Sequence, residues 1–190
     1  MTREKFIEVL DEEDYYYEIE GNKIVLQNYG ADVDLSSLKT LPRGVEFRNK
    51  GNLDLRSLKT LPPDVEFNNV GGVNLESLKT LPPGFIFNCG YVNLGSLETL
   101  PPGVVFDNWG YINLRSLRTL STGVEFNNGG NVNLESLKTL PPGVEFDDRP
   151  NVNLQSLIGG WFRDWSGNIE GIKPNRLLNK MIADGLFDRR

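Results

Sequence analysis

One thiol and a recurring set of serines are the candidate nucleophiles of this 190-residue sequence. Histidine, the commonest general base, is absent, so a serine or cysteine activated by histidine is excluded. Cys89 lies in a predicted loop and has no base near it in sequence. The serines recur once per repeat, at positions 37, 57, 77, 96, 116, 136 and 156. We interpret them as corner residues whose hydroxyls bond to the backbone of a neighbouring repeat.

Neither a metal site nor a cofactor site is predicted. The sequence has no phosphate-binding glycine loop and no cluster of cysteine and histidine. Asp147, Asp148, Asn151 and Asn153 offer oxygen ligands of the kind that calcium accepts, but the glycine-rich nonapeptide of calcium-binding β-rolls is missing. We therefore expect no enzymatic activity. Hydrolysis of an extended polymer by carboxylates alone is the remaining catalytic alternative.

The sequence contains an internal repeat of 20 residues, and this repeat determines where the serines, Cys89 and the acidic residues lie in the fold. The leucine that precedes the proline corner falls at positions 41, 61, 81, 100, 120 and 140, so one step is 19 residues long. The missing residue lies between Phe87 and Val92. A stacked array tolerates such a change in a loop and not in the wall that its repeats share.

Each repeat contains two short apolar segments with the period of a strand. The first reads Val-x-Leu and begins at Val33, and the second reads Val-x-Phe and ends at Phe47, 67, 87, 106, 126 and 146. A period of two places both apolar side chains of a segment on one face. A single repeat cannot bury these faces, whereas stacked repeats can. The sequence thus predicts a mainly β repeat solenoid of six to seven coils, with the phenylalanines in one interior column.

The repeat resembles the leucine-rich-repeat family. The segment Val73-Asn74-Leu75-Glu76-Ser77-Leu78-Lys79-Thr80-Leu81-Pro82-Pro83 is similar to the short bacterial Leu-x-Leu…Leu-x-x-Leu-Pro repeat of secreted effectors and phage-encoded proteins. The resemblance covers residues 33–158 and implies a solenoid without specifying a function. This sequence lacks the family's buried asparagine after the Leu-x-Leu strand and adds the Val-x-Phe strand, so we expect a flattened β-solenoid more than an open horseshoe.

The two ends depart from the repeat, as caps of a solenoid must. Residues 1–32 form an acidic cap, with a helix that begins after the N-cap Thr2 and a hairpin around Glu20-Gly-Asn-Lys. Residues 159–190 are predicted to form a second cap, with a helix over about residues 174–184. The alternative is that this helix docks a partner. Neither a secretory signal nor a membrane span is predicted, and the single cysteine favours a reducing, cytoplasmic compartment.

The net charge of −6 arises in the first 20 residues, which contain eight acids and two bases, and the other 170 residues contain 18 of each. We therefore expect no direct binding of nucleic acid. One hypothesis makes the acidic segment a mimic that blocks a nucleic-acid site, with Glu12, Glu13 and Asp14 as its residues. Its binding to a partner would weaken steeply with salt.

A second candidate site lies where the repeat breaks its own pattern. Ile86 and Val105 occupy a column that holds glutamate in other repeats, and aromatic residues replace polar ones in the nearby loops. Exposed apolar and aromatic clusters mark interfaces. The predicted patch comprises Ile86, Cys89, Tyr91, Val105, Trp109 and Tyr111. The alternative is that the aromatic side chains cover a loop of their own chain.

The leading hypothesis is a rigid, non-enzymatic module that binds a protein partner through this patch. The resemblance to phage-encoded repeat proteins implies an inhibitor of a host or defence protein, of the anti-CRISPR type, acting in the host cytoplasm. The first alternative is a homodimeric scaffold that self-associates through the same patch. The second is the acidic blocker of a nucleic-acid site.

Overall fold

The computed structural model describes residues 1–30, 32–69, 71–141, 144, 152–154 and 156. One helix, α1 (Arg3–Glu12), precedes a hairpin of β1 (Tyr17–Glu20) and β2 (Lys23–Leu26). Short strands then follow one another to the end of the described region. They are β3 (Val33–Asp34), β4 (Val45–Phe47), β5 (Leu53–Asp54), β6 (Glu66–Phe67), β7 (Val73–Asn74), β8 (Ile86–Phe87), β9 (Val92–Asn93), β10 (Val105–Phe106), β11 (Ile112–Asn113), β12 (Glu125–Phe126), β13 (Val132–Asn133) and β14 (Val152–Asn153).

The strands alternate between two sheets of seven strands each. Sheet A has the order β1-β2-β4-β6-β8-β10-β12, and sheet B has the order β14-β13-β11-β9-β7-β5-β3. All pairs are parallel except β1 with β2, and each residue pairs with its equivalent in the next coil, as Phe106 does with Phe126. The chain is therefore a mainly β solenoid of about six turns, with a strand on both sides of each coil. The flattened form expected from the second strand is confirmed.

The core is a set of columns, one for each apolar position of the repeat. Phe47, Phe67, Phe87, Phe106 and Phe126 are fully buried. Neighbouring rings in this column are parallel to within 14°, with centroids 5.2–6.0 Å apart. The predicted phenylalanine column is confirmed for these five residues, and the sixth, Phe146, lies outside the described residues. Offset stacking of aromatic rings adds stabilisation beyond the burial of their area.

The corner after each sheet A strand accommodates the repeat of irregular length. Phe67 pairs with Phe87 and Val73 pairs with Val92, so the missing residue lies in the corner and the walls stay in register. Neighbouring corners approach closely at a glycine: the N–H of Gly110 donates to the carbonyl of Gly90 at 2.7 Å. A Cβ on Gly110 would lie 2.6 Å from that oxygen, which explains why glycine recurs here.

The N-terminal helix and hairpin pack against the first coil. Thr2 caps α1 by accepting a hydrogen bond from the Lys5 amide at 3.3 Å, and Phe6 and Leu10 insert into the core with no exposed surface. Strand β2 extends sheet A by pairing with β4, and β1 forms its edge. The predicted C-terminal cap, residues 159–190 with a helix at about 174–184, lies outside the described residues.

We predict that Phe106→Ala lowers the free energy of unfolding by about 3–5 kcal/mol, because it leaves a cavity in the middle of the ring stack. The matched control is Glu125→Ala, an exposed side chain on the neighbouring strand, which should change stability by less than about 0.5 kcal/mol. Urea titration of both variants measures the difference. Equal losses would mean that the inner and outer faces of sheet A are assigned the wrong way round.

Candidate functional site

An apolar pair interrupts the polar outer face of sheet A. Ile86 on β8 and Val105 on β10 are register partners, and each is followed by an inward phenylalanine that is fully buried. The Ile86 side chain is 57% exposed and Val105 is half-buried. Such exposure is unusual for a large aliphatic side chain within a strand, and no residue of the described chain covers it. The pair therefore forms a contiguous apolar surface across two neighbouring coils.

Carboxylates border this apolar pair. Glu125 is the register partner of Val105 on the next strand, and Asp107 lies two residues after Val105, on the same face. Both are exposed. On the opposite side Glu66 bonds to Lys23 at 2.7 Å and is neutralised by it. From β8 to β12, the outward residues of sheet A thus carry two carboxylates and no base. This electrostatic environment favours a partner surface with positive charge.

The three aromatic residues of the predicted patch lie elsewhere on the coil. Trp109 is at the corner between the sheets and is 63% exposed, and Tyr91 and Tyr111 immediately precede sheet B strands and are 38% and 43% exposed. The structure therefore divides the predicted patch: Ile86 and Val105 lie on sheet A, and the two tyrosines adjoin sheet B. Trp109 sits at the corner between these two groups.

Tyr91 has a structural partner that sequence reasoning missed. Its ring lies over Gly72 of the preceding coil, where a Cβ would overlap the ring. Burial raises the pKa of the Tyr91 hydroxyl, and the carboxylates of Asp32 and Asp54 raise it further. The signal in the sequence was the glycine itself, which replaces the asparagine found at Asn52 and Asn131. Tyr91 thus contributes to packing between coils as well as to the surface.

The predicted exposure of Cys89 is wrong: the side chain is only 1% exposed. Cys89 belongs to a corner column that turns inward and holds buried asparagines in the other described coils, at positions 49, 69, 108 and 128. Asn49 donates to the Gly51 carbonyl at 2.8 Å, and the thiol of Cys89 points in the same way at the Tyr91 carbonyl, 3.7 Å away. The recurring asparagine was the sequence signal that this column faces the interior.

The surroundings of Cys89 make it a poor nucleophile. Burial raises the pKa of its thiol to about 12, and the hydrogen bond from Asn108 at 3.2 Å only partly opposes that rise. Because the thiolate is the reactive species, very little of it exists at neutral pH. Among the repeated serines, Ser116 donates its hydroxyl to the carbonyl of Gly95 in the preceding coil at 2.6 Å. This is the corner role predicted for that column.

The residues of the predicted acidic site, Glu12, Glu13 and Asp14, are all exposed at the C-terminal end of α1. Asp14 terminates the helix with a φ of 56°, and its amide bonds to the Asp11 carbonyl at 3.3 Å. Acids at the negative end of a helix dipole are unfavourable, and the last turn of α1 contains no base to offset them. Asp14 has a structural role in the turn, and the Glu13 amide closes the last turn of α1 on the Val9 carbonyl at 3.2 Å. The side chains of Glu12 and Glu13 form no ion pair with another described residue.

The period of two places Glu46 on the outer face of sheet A, where a glutamate is expected to be solvated, but the structure buries it to 3% exposure. Its carboxylate accepts hydrogen bonds from Lys23 at 3.2 Å, Arg48 at 2.5 Å and Asn68 at 3.1 Å. Burial alone would raise its pKa, but the hydrogen bonds from Arg48, Asn68 and Lys23 together hold the pKa below its ordinary value. Arg48 also makes two bonds to Glu20, so this ionic network fastens the hairpin to the array.

The comparisons with known proteins assign no family. No protein-family model matches the chain, and no curated protein or solved structure matches it significantly. Within the described residues, no group of three or more acidic or cysteine side chains is arranged to hold a metal ion. No helix among those residues is long and apolar enough to cross a membrane. The site is therefore defined by its own geometry.

We predict that the thiol of Cys89 in the native protein reacts with a disulfide reagent at least about a hundredfold more slowly than in the urea-unfolded chain. Both burial and the raised pKa oppose the reaction. The control is Asn127→Cys in a Cys89→Ser background, which places a thiol at an exposed position of sheet A and should react rapidly. Equally fast reaction of native Cys89 would show that this corner column faces solvent.

We predict that Glu46→Gln lowers the free energy of unfolding at neutral pH by about 1–3 kcal/mol, because it weakens three hydrogen bonds to a buried carboxylate. The control Glu66→Gln removes a half-exposed carboxylate and should cost less than about 1 kcal/mol. Urea titrations measure both values.

This effect has a definite pH dependence. Because the pKa of Glu46 is lower in the folded protein than in the unfolded chain, its contribution is complete above the unfolded value of about 4.3 and is lost as the pH falls through the folded value. The deficit of Glu46→Gln relative to the parent protein should therefore shrink on acidification. A deficit that stays constant down to about pH 3 would contradict the lowered pKa.

Proposed function

We propose that the protein is a rigid, non-catalytic module that binds a protein partner through the outer face of sheet A. The observation that carries this proposal is the register pair Ile86–Val105, an exposed apolar surface in a column that holds glutamate at positions 46, 66 and 125. Burying large aliphatic side chains in a partner's pocket supplies binding energy, and a polar rim supplies specificity. Trp109, which is 63% exposed, extends the contact to the corner.

The charges around the pair support a heterologous partner more than a second copy of this chain. A two-fold dimer through this face would bring its acidic rims, formed by Asp107 and Glu125, towards one another. Like charges across an interface weaken it. A partner that inserts an apolar side chain between lysines or arginines satisfies both features of the face. We therefore rank the homodimer below a basic protein partner.

The candidate nucleophiles support a non-enzymatic reading. The thiol of Cys89 is buried and weakly acidic, and Ser116 uses its hydroxyl within the fold. The similarity of the repeats to phage-encoded repeat proteins supports, as the biological setting, inhibition of a host or defence protein in the cytoplasm. Inhibitors of this kind act by occupying a surface and need no chemistry of their own.

A second candidate is the acidic segment, which is favoured by one specific observation. The side chains of Glu12 and Glu13 are exposed at the end of α1 where the helix dipole disfavours acids, and they form no ion pair with another described residue. In this alternative the segment occupies a basic nucleic-acid-binding site, and electrostatic attraction dominates the association.

The test is a comparison of matched charge variants with a partner that is captured from the source cells, identified and purified. Val105→Glu should weaken binding at least about tenfold, because it places a desolvated carboxylate against the apolar side chain that the partner inserts. Folding should tolerate the change, since glutamate stands at the same position in other coils. The control Thr60→Glu introduces the same charge at the opposite corner and should bind like the parent protein.

Two further measurements separate the alternatives. Glu12→Lys with Glu13→Lys leaves Asp14 in its turn and should mainly slow association if sheet A is the anchor. If this variant fails to bind while Val105→Glu binds normally, the acidic segment is the site. Sedimentation of the parent protein tests the dimer: a stable dimer that Val105→Glu dissociates would replace the heterologous partner with a second copy.

A further inference from the structure

A row of cations follows the corner that leads from sheet B to sheet A, opposite the corner that holds Trp109. In each coil the residue after the second leucine of the repeat is exposed at this corner. The residues are Lys39, Lys59, Lys79, Glu98, Arg118 and Lys138. The next residue is always an exposed threonine, at positions 40, 60, 80, 99, 119 and 139. We call these two columns the Lys–Thr ridge.

Main-chain hydrogen bonds fix the spacing of the ridge. The amide of Lys79 donates to the Lys59 carbonyl at 3.0 Å, and the amide of Lys138 donates to the Arg118 carbonyl at 3.1 Å. Parallel bridges also join Thr99 to Thr119 and Thr119 to Thr139. Neighbouring members are therefore one strand spacing apart, about 4.8 Å, and the ridge is roughly 24 Å long. The solenoid presents its cations as a straight and regular array.

The charges of the ridge differ from other charges of the array in having few partners. On the sheets, Lys23, Arg48 and Arg115 all bond to carboxylates. Within the ridge, Arg118 and Glu98 form an ion pair at 3.8 Å, whereas Lys39, Lys59 and Lys138 have no carboxylate of the described chain within ion-pair distance. Like charges at this spacing repel one another, and the fold does not need them there. A linear anion would supply the missing counter-charge.

We propose that the Lys–Thr ridge binds the phosphate backbone of a double-stranded nucleic acid. In five of the six coils a cationic group stands next to a hydroxyl, and phosphate oxygens accept hydrogen bonds from both. The ridge contains no aromatic side chain, so the base stacking that single-strand binders use is not offered here. Its length of roughly 24 Å corresponds to about seven base pairs. The phosphates of a duplex are evenly spaced, as the cations of the ridge are, whereas the carboxylates on the surface of a folded protein are not.

This proposal reverses the expectation from composition, and the reason is geometric. Outside the first 20 residues acids and bases balance, which argued against binding of nucleic acid. Stacking, however, sorts charges by column, so that five bases and one acid occupy a single corner. The acidic face of sheet A is a separate surface, and at a physiological Debye length of about 8 Å its repulsion is largely screened. The N-terminal cap meets the ridge at its first coil, where the contact is made by a positive group: the terminal ammonium of Met1 donates to the Thr40 hydroxyl at 3.1 Å.

The experiment measures fluorescence anisotropy of a labelled duplex of about 20 base pairs at salt concentrations from about 50 to 200 mM. The parent protein should bind, with log K falling against log salt with a slope of about −3 to −5 for four or five displaced counterions. Lys59→Glu with Lys79→Glu should lower the affinity at least tenfold and make the slope shallower by about 2. The control, Lys5→Glu with Lys50→Glu, changes the net charge equally at exposed positions off the ridge.

A gain-of-function variant makes the test independent of folding defects. Glu98→Lys completes the row and should tighten duplex binding several-fold, whereas Glu125→Lys on sheet A makes the same charge change and should have a smaller effect. Circular dichroism confirms the fold of each variant. No duplex binding at the lowest salt, equal losses in the ridge and control variants, or equally tight binding of polyglutamate would each overturn the proposal.

Discussion

Parallel stacking in exact register is the constraint on which the rest of this structure depends. Each residue lies beside its own equivalent in the coils above and below, as the pairing of Phe87 with Phe106 shows. A side chain is therefore acceptable only if it can contact a copy of itself. Phenylalanine stacks, outward asparagine donates to outward asparagine, as Asn113 does to Asn93 at 2.9 Å, and glycine permits the close approach of the corners. These contacts between equivalent residues explain which residue types recur at each position of the repeat.

Departures from the repeat show the same constraint, because a changed residue requires a changed neighbour. Tyr91 lies over Gly72, and Arg115 extends over Gly95 to reach Glu76 at 3.1 Å. In each case the bulky residue follows a coil whose equivalent side chain is absent. Ile86 and Val105 have no such compensation and simply leave apolar surface in solvent. Tyr91 and Arg115 thus fill space between coils, whereas Ile86 and Val105 remain accessible at the surface.

The walls of the solenoid could be predicted from the sequence, whereas two buried side chains could not. Strand faces follow from the period of two, and the N-cap at Thr2 follows from local chemistry, so both were predictable. Cys89 was misplaced because a corner has no such period: its direction depends on the side-chain bonds to carbonyls that Asn49 and its equivalents make. Glu46 was misplaced because its environment comes from Lys23 in the cap, which does not repeat.

The same stacking determines the charge distribution on the surface, because equivalent residues of successive coils form continuous columns. Although acids and bases balance in the repeats, stacking places most bases on the Lys–Thr ridge and most of the nearby acids on the outer face of sheet A. The outward positions of sheet B carry a column of asparagines. The functional charge of a solenoid is thus the charge of a column and not that of the chain. Since the apolar pair at Ile86 and the ridge at Lys59 lie on different sides of the coil, occupation of one leaves the other accessible. If both proposals hold, the stacked coils fix the distance between the two bound partners.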